Sequence, residues 1–336
     1  MILSKIRLLL LIILTVFIIY ACASKRNPEA PLIFPPTATV TLTATFTATV
    51  TETAVCNNYW PAPVNLGSDI NTGSDEYNPI VVDQTIIFAS NRPGGYGGFD
   101  IWFTERSCGI DCYWQAPQNM GPQFNTGADE SGPFAVLDYT LYWDIVIRAM
   151  YFNRVDIYGY GNVIQYIERD QYGSWQIASA VQGDVNIGTN SRYASITMTS
   201  DTTGTMYYCR SNSIYDLNTN IYRAEYNGWA WINSQPVAEL NTQYREDCPY
   251  YYVDISGNEF LYFVSDRPGG FGGTDIWVSK KSGSTWQEPE NVCSVNTVYN
   301  EYRPTASRSN LGYERLIFSS DRPGGCGGYD LYWSEK

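Results

Sequence analysis

Ser90-Asn91-Arg92-Pro93-Gly94-Gly95-Tyr96-Gly97-Gly98-Phe99-Asp100-Ile101-Trp102 returns twice more in the chain, with its arginine at Arg267 and again at Arg322. Each copy is preceded by an apolar run with strand character: Ile86–Ser90, Phe260–Ser265 and Leu316–Ser320. Each is followed by a second such run, which begins at Asp100, Asp275 and Asp330. Two strands joined by a Gly-rich connection form a hairpin, and three copies of one hairpin make a repeat.

Working outward, an Asn-Thr pair precedes each hairpin, at Asn71, Asn125, Asn241 and Asn296. A glutamate lies five residues on (Glu76, Glu130, Glu246, Glu301) and a proline eight on (Pro79, Pro133, Pro249, Pro304). An eroded copy starts at Asn186, with Ser191 and Ala194 in the glutamate and proline places. Successive copies are 54, 61, 55 and 55 residues apart. A tryptophan segment precedes every copy, at Trp60, Trp114, Trp175, Trp231 and Trp286. A period near 55 with four short strands predicts a propeller blade, which cannot bury both faces of its sheet alone and must stack around an axis.

Strand counting predicts the closure. The repeats begin with a lone tryptophan strand at 60–66 and end with a lone Asp-Leu-Tyr strand at 330–335. Pairing these ends completes one blade and leaves no open edge. The expectation is an all-β propeller of five four-stranded blades over 57–336.

These motifs resemble the WD40-like repeats of TolB-type bacterial β-propellers. The resemblance implies an exported propeller that serves as a binding or scaffold module at the cell envelope. Blades two and three lack the Arg-Pro-Gly-Gly signature, so whatever that loop carries is not implied for them.

The first 21 residues read as an export signal. Lys5 and Arg7 precede an apolar run from Leu8 to Ala21, too short for the ~20 residues of a spanning helix. The run ends Ile19-Tyr20-Ala21-Cys22, which resembles a lipobox with Cys22 as the acylated residue. Residues 22–56 read as a Pro/Thr-rich linker, with threonine at every second position from Thr37 to Thr53. Exported, lipid-anchored placement at the bacterial cell envelope is expected, with the lipid as the only membrane contact. Cleavage before Cys22 removes Lys5 and Arg7 and takes the formal charge from −13 to −15.

Composition narrows the chemistry. The 336 residues include no histidine, which excludes Ser-His-Asp and Cys-His catalysis and His-ligated metals. The acidic balance argues against nucleic acid. No cofactor and no metal are expected. Asp100, Asp275 and Asp330 could join a Ca²⁺ site, but Asn162 and Asn220 stand in that place in blades two and three. Asp and Asn share the ability to cap a turn and do not share a charge, so capping is the preferred reading. Arg92, Arg267 and Arg322 lie on the same face as the repeat glutamates and are expected to form ion pairs between blades.

Eight cysteines fit an oxidising compartment. With Cys22 acylated, the disulfide candidates are Cys108 with Cys112, Cys209 with Cys248, and Cys293 with Cys326, and Cys56 is the odd thiol.

Two classes of function stand at this point. The first is a non-enzymatic module, a monomer that binds a cell-envelope protein or glycan. Its recognition surface is expected over blades two and three, where Tyr142, Trp143, Tyr158, Tyr160, Arg192 and Tyr193 supply hot-spot residue types. The alternative is a five-bladed glycoside hydrolase working with carboxylates alone, drawn from Asp83, Asp138, Asp144, Asp254 and the repeat glutamates.

Overall fold

The computed structural model describes residues 60–106, 113–138, 146–155, 161–187, 190–211, 216, 218–308 and 312–336. The expected signal peptide, Cys22 and the linker lie outside the described residues, as do Cys56, Cys108, Cys112, Tyr142, Trp143, Asp144, Tyr158 and Tyr160.

Five antiparallel sheets stand around one axis. Their innermost strands are Glu76–Val82, Glu130–Asp138, Asn190–Ser200, Glu246–Val253 and Glu301–Arg308. Each packs against the next, and the fifth packs against the first. Moving outward in blade one, Thr85–Ser90, Asp100–Glu105 and Gln118–Asn119 complete the sheet. The ring closes as the strand count requires. Val64–Asn65 pairs with Asp330–Glu335, in the register Val64 to Trp333 and Asn65 to Tyr332. The N-terminal segment is anchored beyond that pairing, with the Ser334 hydroxyl donating to the Pro61 carbonyl at 2.6 Å.

The apolar runs are continuous because both faces of every sheet are buried. In Glu259–Ser265, Leu261 and Phe263 join the cluster shared with blade three, while Tyr262 and Val264 join the cluster shared with blade five. Five apolar clusters fill the five seams in this way. Phe263 has no exposed surface, and truncating such a side chain to alanine costs about 3–5 kcal/mol.

The repeated polar residues tie each blade to its neighbour. Asn71 works as a one-residue strand: its Oδ1 accepts from the Leu331 N–H at 2.8 Å and its Nδ2 donates to the Leu331 carbonyl at 3.0 Å. Asn125, Asn186, Asn241 and Asn296 repeat this on Ile101, Ile164, Ile221 and Ile276. The following threonine holds the glutamate, with the Thr72 N–H on Glu76 Oε2 and its hydroxyl on Oε1.

The signature loop uses its glycines mainly for close approach. Only the first is in the left-handed region, with φ of 97° at Gly94, 96° at Gly269 and 93° at Gly324. A Cβ on Gly95 would sit 1.6 Å from an Asp100 carboxylate oxygen, and one on Gly97 would sit 2.2 Å from the Ala128 carbonyl of blade two. The loop is therefore pressed against its own aspartate on one side and the next blade on the other.

Two sequence expectations are corrected here. The Arg–Glu ion pairs lie within a blade and not between blades: Arg92 with Glu76 at 3.0 Å, Arg267 with Glu246 at 3.0 Å, Arg322 with Glu301 at 2.8 Å. Both partners sit at the same end of one sheet, since Glu76 pairs with Ser90 two residues before Arg92. The expected Cys209–Cys248 bridge is absent. Both are free, buried thiols, and Cys209 Sγ donates to Asp247 Oδ1 at 2.6 Å. Cys293 and Cys326 are disulfide-bonded.

Candidate functional site

Each innermost strand carries a bulge at the same place. The register slips between Tyr77 and Ile80, Ser131 and Phe134, Arg192 and Ser195, Asp247 and Tyr250, and Tyr302 and Thr305. The second bulge residue takes a left-handed φ in every blade: Asn78 53°, Gly132 60°, Tyr193 60°, Cys248 52° and Arg303 48°. Proline follows in four of the five because a bulge leaves that N–H without a ladder partner. Non-glycine residues at positive φ are uncommon, and a ring of them around one axis marks a built site.

The bulges wall a cavity of about 370 Å³ at the axial mouth. Tyr77, Asn78, Ser131, Tyr193 and Tyr302 come from the bulges, Asp75 from the residue before Glu76, and Phe99 and Tyr329 from the signature loops. Tyr77 and Tyr329 lie 4.5 Å apart between ring centres, and Tyr302 meets both edge-on at 6.5 and 5.9 Å. Burial pushes all three phenols up, Tyr329 to about 12, so each stays a neutral hydroxyl.

Beside the tyrosines lies a charge cluster. Asp247 Oδ2 accepts from Arg192 at 3.1 Å and from Arg245 at 2.6 Å, while Oδ1 accepts from Cys209 and from the Cys248 N–H at 3.0 Å. Burial would push this carboxyl up, but the two guanidinium charges and the thiol hydrogen bond outweigh it and hold the pKa at about 2. Arg245 also donates to the Tyr302 hydroxyl at 2.5 Å, which connects the cluster to the cavity wall.

Of the residues expected to bind ligand, Arg192 and Tyr193 reach this site; the others fall outside the described residues. Among the described residues, the carboxylates named from sequence do not converge here. Glu76, Glu130, Glu246 and Glu301 have no exposed surface and are consumed by Thr, Ser and Arg partners within their blades. Asp83 and Asp254 sit at the opposite ends of their inner strands, where Asp254 caps its own turn through Ser256 and Asn258. The acids at the mouth, Asp75 and Asp247, were not singled out. A signal for Asp247 exists in the sequence. The two residues between the repeat glutamate and proline read Tyr-Asn, Ser-Gly, Asp-Cys and Tyr-Arg, the least uniform pair inside an otherwise constant strand.

Asp100 and Asp275 act as loop caps, accepting from the N–H of Tyr96 at 2.7 Å and of Phe271 at 2.9 Å. Asp330 does the same for Cys326 at 2.6 Å. Among the described residues, no three Cys, Asp or Glu side chains group as metal ligands.

No protein-family model matches the sequence, and no curated relative matches it. Solved structures do. A thermostable family-43 glycoside hydrolase superposes with TM-score 0.53 at 11% identity, over 79% of this chain and 90% of its own. An alpha-L-arabinofuranosidase from Podospora anserina gives 0.53 at 10% identity, over 82% and 97%. An endo-arabinase from Bacteroides thetaiotaomicron gives 0.51 at 10% identity, over 83% and 97%. At such identities the likeness is one of fold. It corrects the resemblance to WD40-like, TolB-type repeats and, with it, the expectation of a non-enzymatic binding or scaffold module: the neighbours over most of the chain are glycoside hydrolases.

Proposed function

We propose that this chain is a glycoside hydrolase acting at the axial mouth with carboxylates alone. The observation that carries the reading is the cavity itself, in which neutral tyrosines form the wall and the Asp75 carboxylate stands at the edge. Aromatic faces stack on the C–H faces of sugar rings, and phenol hydroxyls meet their hydroxyl groups. The fold shared with glycoside hydrolases supports the same reading. Hydrolysis of a glycosidic bond needs one carboxyl that exchanges a proton and one that stays ionised. Asp247 stays ionised above about pH 2 and fixes Arg245, which in turn holds the Tyr302 hydroxyl at the cavity wall. The Asp247 oxygens are saturated by five hydrogen bonds from four residues, so proton exchange falls to Asp75. One Asp75 oxygen accepts from the Tyr329 N–H at 3.0 Å, and the other meets only the Asn91 amide, at 3.4 Å.

Asp75→Asn tests this with little structural cost, because blade five carries Asn300 in the same place, accepting from the Thr274 N–H at 3.2 Å. The wild type is expected to release reducing ends from one member of a polysaccharide panel, and Asp75→Asn to lose that activity. Absence of hydrolysis on every member, or full activity in Asp75→Asn, would refute the reading. We also propose export and lipid anchoring through Cys22, which the charged, apolar and lipobox-like segments at 1–22 support. Metabolic labelling with an azido-fatty acid, lost in Cys22→Ala, tests that.

A further inference from the structure

Among the described residues, four of the buried polar atoms left without partners lie together near the axis. Arg303 has no exposed surface, yet its Nε and Nη1 have no hydrogen-bond acceptor. Only its Nη2 is used, on the Pro133 carbonyl at 3.1 Å. Arg192 Nε and Asn153 Nδ2 are buried and unpartnered as well. The Asn153 orientation is fixed, since its Oδ1 accepts from the Tyr193 N–H at 2.9 Å. All four atoms gather around Tyr193, whose ring lies 5.1 Å from the Arg303 guanidinium carbon and 5.4 Å from that of Arg192. Gly132 completes the group: a Cβ there would fall 2.4 Å from Asn153 Nδ2 and 2.7 Å from the Tyr193 ring.

Every unsatisfied atom in this group is a donor. Arg192 and Arg245 share one buried carboxylate, Asp247, while the Arg303 guanidinium has no carboxylate partner. The axis is thus a positive spot in a chain of net charge −13. Unpaired buried donors cost about 1–3 kcal/mol each, and more when charged, so their persistence calls for an acceptor that the bare protein does not supply. An oxyanion is acceptor-only, and guanidinium is its strongest partner among side chains. Tyr193 belongs both to this group and to the cavity wall, so the donors, which do not themselves line the cavity, lie next to that wall.

We propose that the axial site takes an anionic sugar, with the carboxylate of a uronic acid directed toward Tyr193 and the Arg192 and Arg303 guanidinium groups. This rests on the hydrolase reading for its location and on the donor set for its charge. A free oxyanion offers the same chemistry, and the experiment separates the two.

The probes are D-galacturonate and D-galactose, which differ only in carboxylate against hydroxymethyl at C6, with sodium sulfate as the inorganic oxyanion. Binding is measured by calorimetry at low ionic strength on the Asp75→Asn protein, so turnover does not enter. Galacturonate is expected to bind tenfold or more tighter than galactose, as about one charge-assisted hydrogen bond predicts. Arg303→Met is expected to remove that preference and leave galactose affinity unchanged. Equal affinities for the two sugars, no galacturonate binding, or a preference that survives Arg303→Met would each overturn the proposal. Sulfate binding as tightly as galacturonate would also overturn it, by showing a site for free oxyanions. The comparison of the two sugars on the Asp75→Asn protein decides the matter even where Arg303→Met does not fold. Failure of the polysaccharide panel would refute hydrolysis and leave this result standing.

Discussion

The Arg303 guanidinium reaches from blade five to the Pro133 carbonyl of blade two, 3.1 Å away and not in an adjacent blade. The side chain therefore spans the axis to a blade two places away in the ring. Nothing in the repeat requires this arginine: Asn78, Gly132, Tyr193 and Cys248 take its place in the other blades. It is a local departure from the repeat.

That position leads to a prediction of sign. A buried cation without a carboxylate partner is a cost to the folded state, and apolar replacement of such groups is often neutral or stabilising. Arg303→Met should therefore unfold in urea within about 1 kcal/mol of the wild type, despite losing the Pro133 hydrogen bond. A loss above about 3 kcal/mol would show that the guanidinium is part of the framework.

The Glu–Arg pairs should respond asymmetrically. Blade three has already lost its glutamate: Ser191 stands there, and Arg210 instead caps the Asp184 and Val185 carbonyls at 2.5 and 2.8 Å. Arg322 has the equivalent carbonyl, that of Val295 at 2.7 Å. Glu301→Ser leaves it that partner and should cost about 1–3 kcal/mol. Arg322→Ala leaves Glu301 fully buried without its cation and should cost about 3–5 kcal/mol. Chemical denaturation of both variants at pH 7 checks the order; equal costs would contradict it.

The signature loop offers a steric test. Gly97→Ala would drive a methyl group into the Ala128 and Thr126 carbonyls of the next blade, at 2.2 and 2.7 Å. A loss of about 2 kcal/mol or more follows from so rigid a neighbour. Gly73→Ala meets nothing within 4 Å and has no positive φ, so it should stay within about 0.5 kcal/mol of the wild type. Matched melting curves for the two variants would refute the close-approach account of the repeat.

These residues show why the fold was legible in the sequence and the site was not. Asn71, Thr72, Glu76, Arg92 and Asp100 recur because each performs the same backbone or capping task in blade after blade, and repetition gives the period, the strand order and the closure. The site is built from what does not recur. Tyr77 and Asp247 occupy the first bulge position and Arg303 the second, positions whose residues differ in size and charge from blade to blade, and only the ring brings them to one place. The partners of Cys209, Cys248 and the signature arginines differ from expectation for a related reason. Sequence gives the face on which a side chain lies, while reach within a blade, as for Arg92 to Glu76, depends on the path of the loop.

Asp247 gives the last prediction, in pH. Its folded pKa of about 2 lies below the ordinary 3.8, so its contribution is present above pH 3.8 and is lost as the pH falls through 2. A shift of this size corresponds to about 2 kcal/mol. Asp247→Asn removes the only carboxylate between Arg192 and Arg245 and should cost about 3–5 kcal/mol at pH 7. The substitution does not titrate, so the gap between wild type and variant should be constant from pH 7 to pH 5. It should then narrow by about 2 kcal/mol between pH 4 and pH 2, as the wild-type carboxyl takes up its proton. Urea midpoints for both proteins at pH 7, 5, 4, 3 and 2 measure it directly. Other carboxylates titrate over the same range, but they do so in both proteins and cancel in the difference. A gap that stays flat to pH 2 would mean that the two arginines do not hold Asp247 ionised.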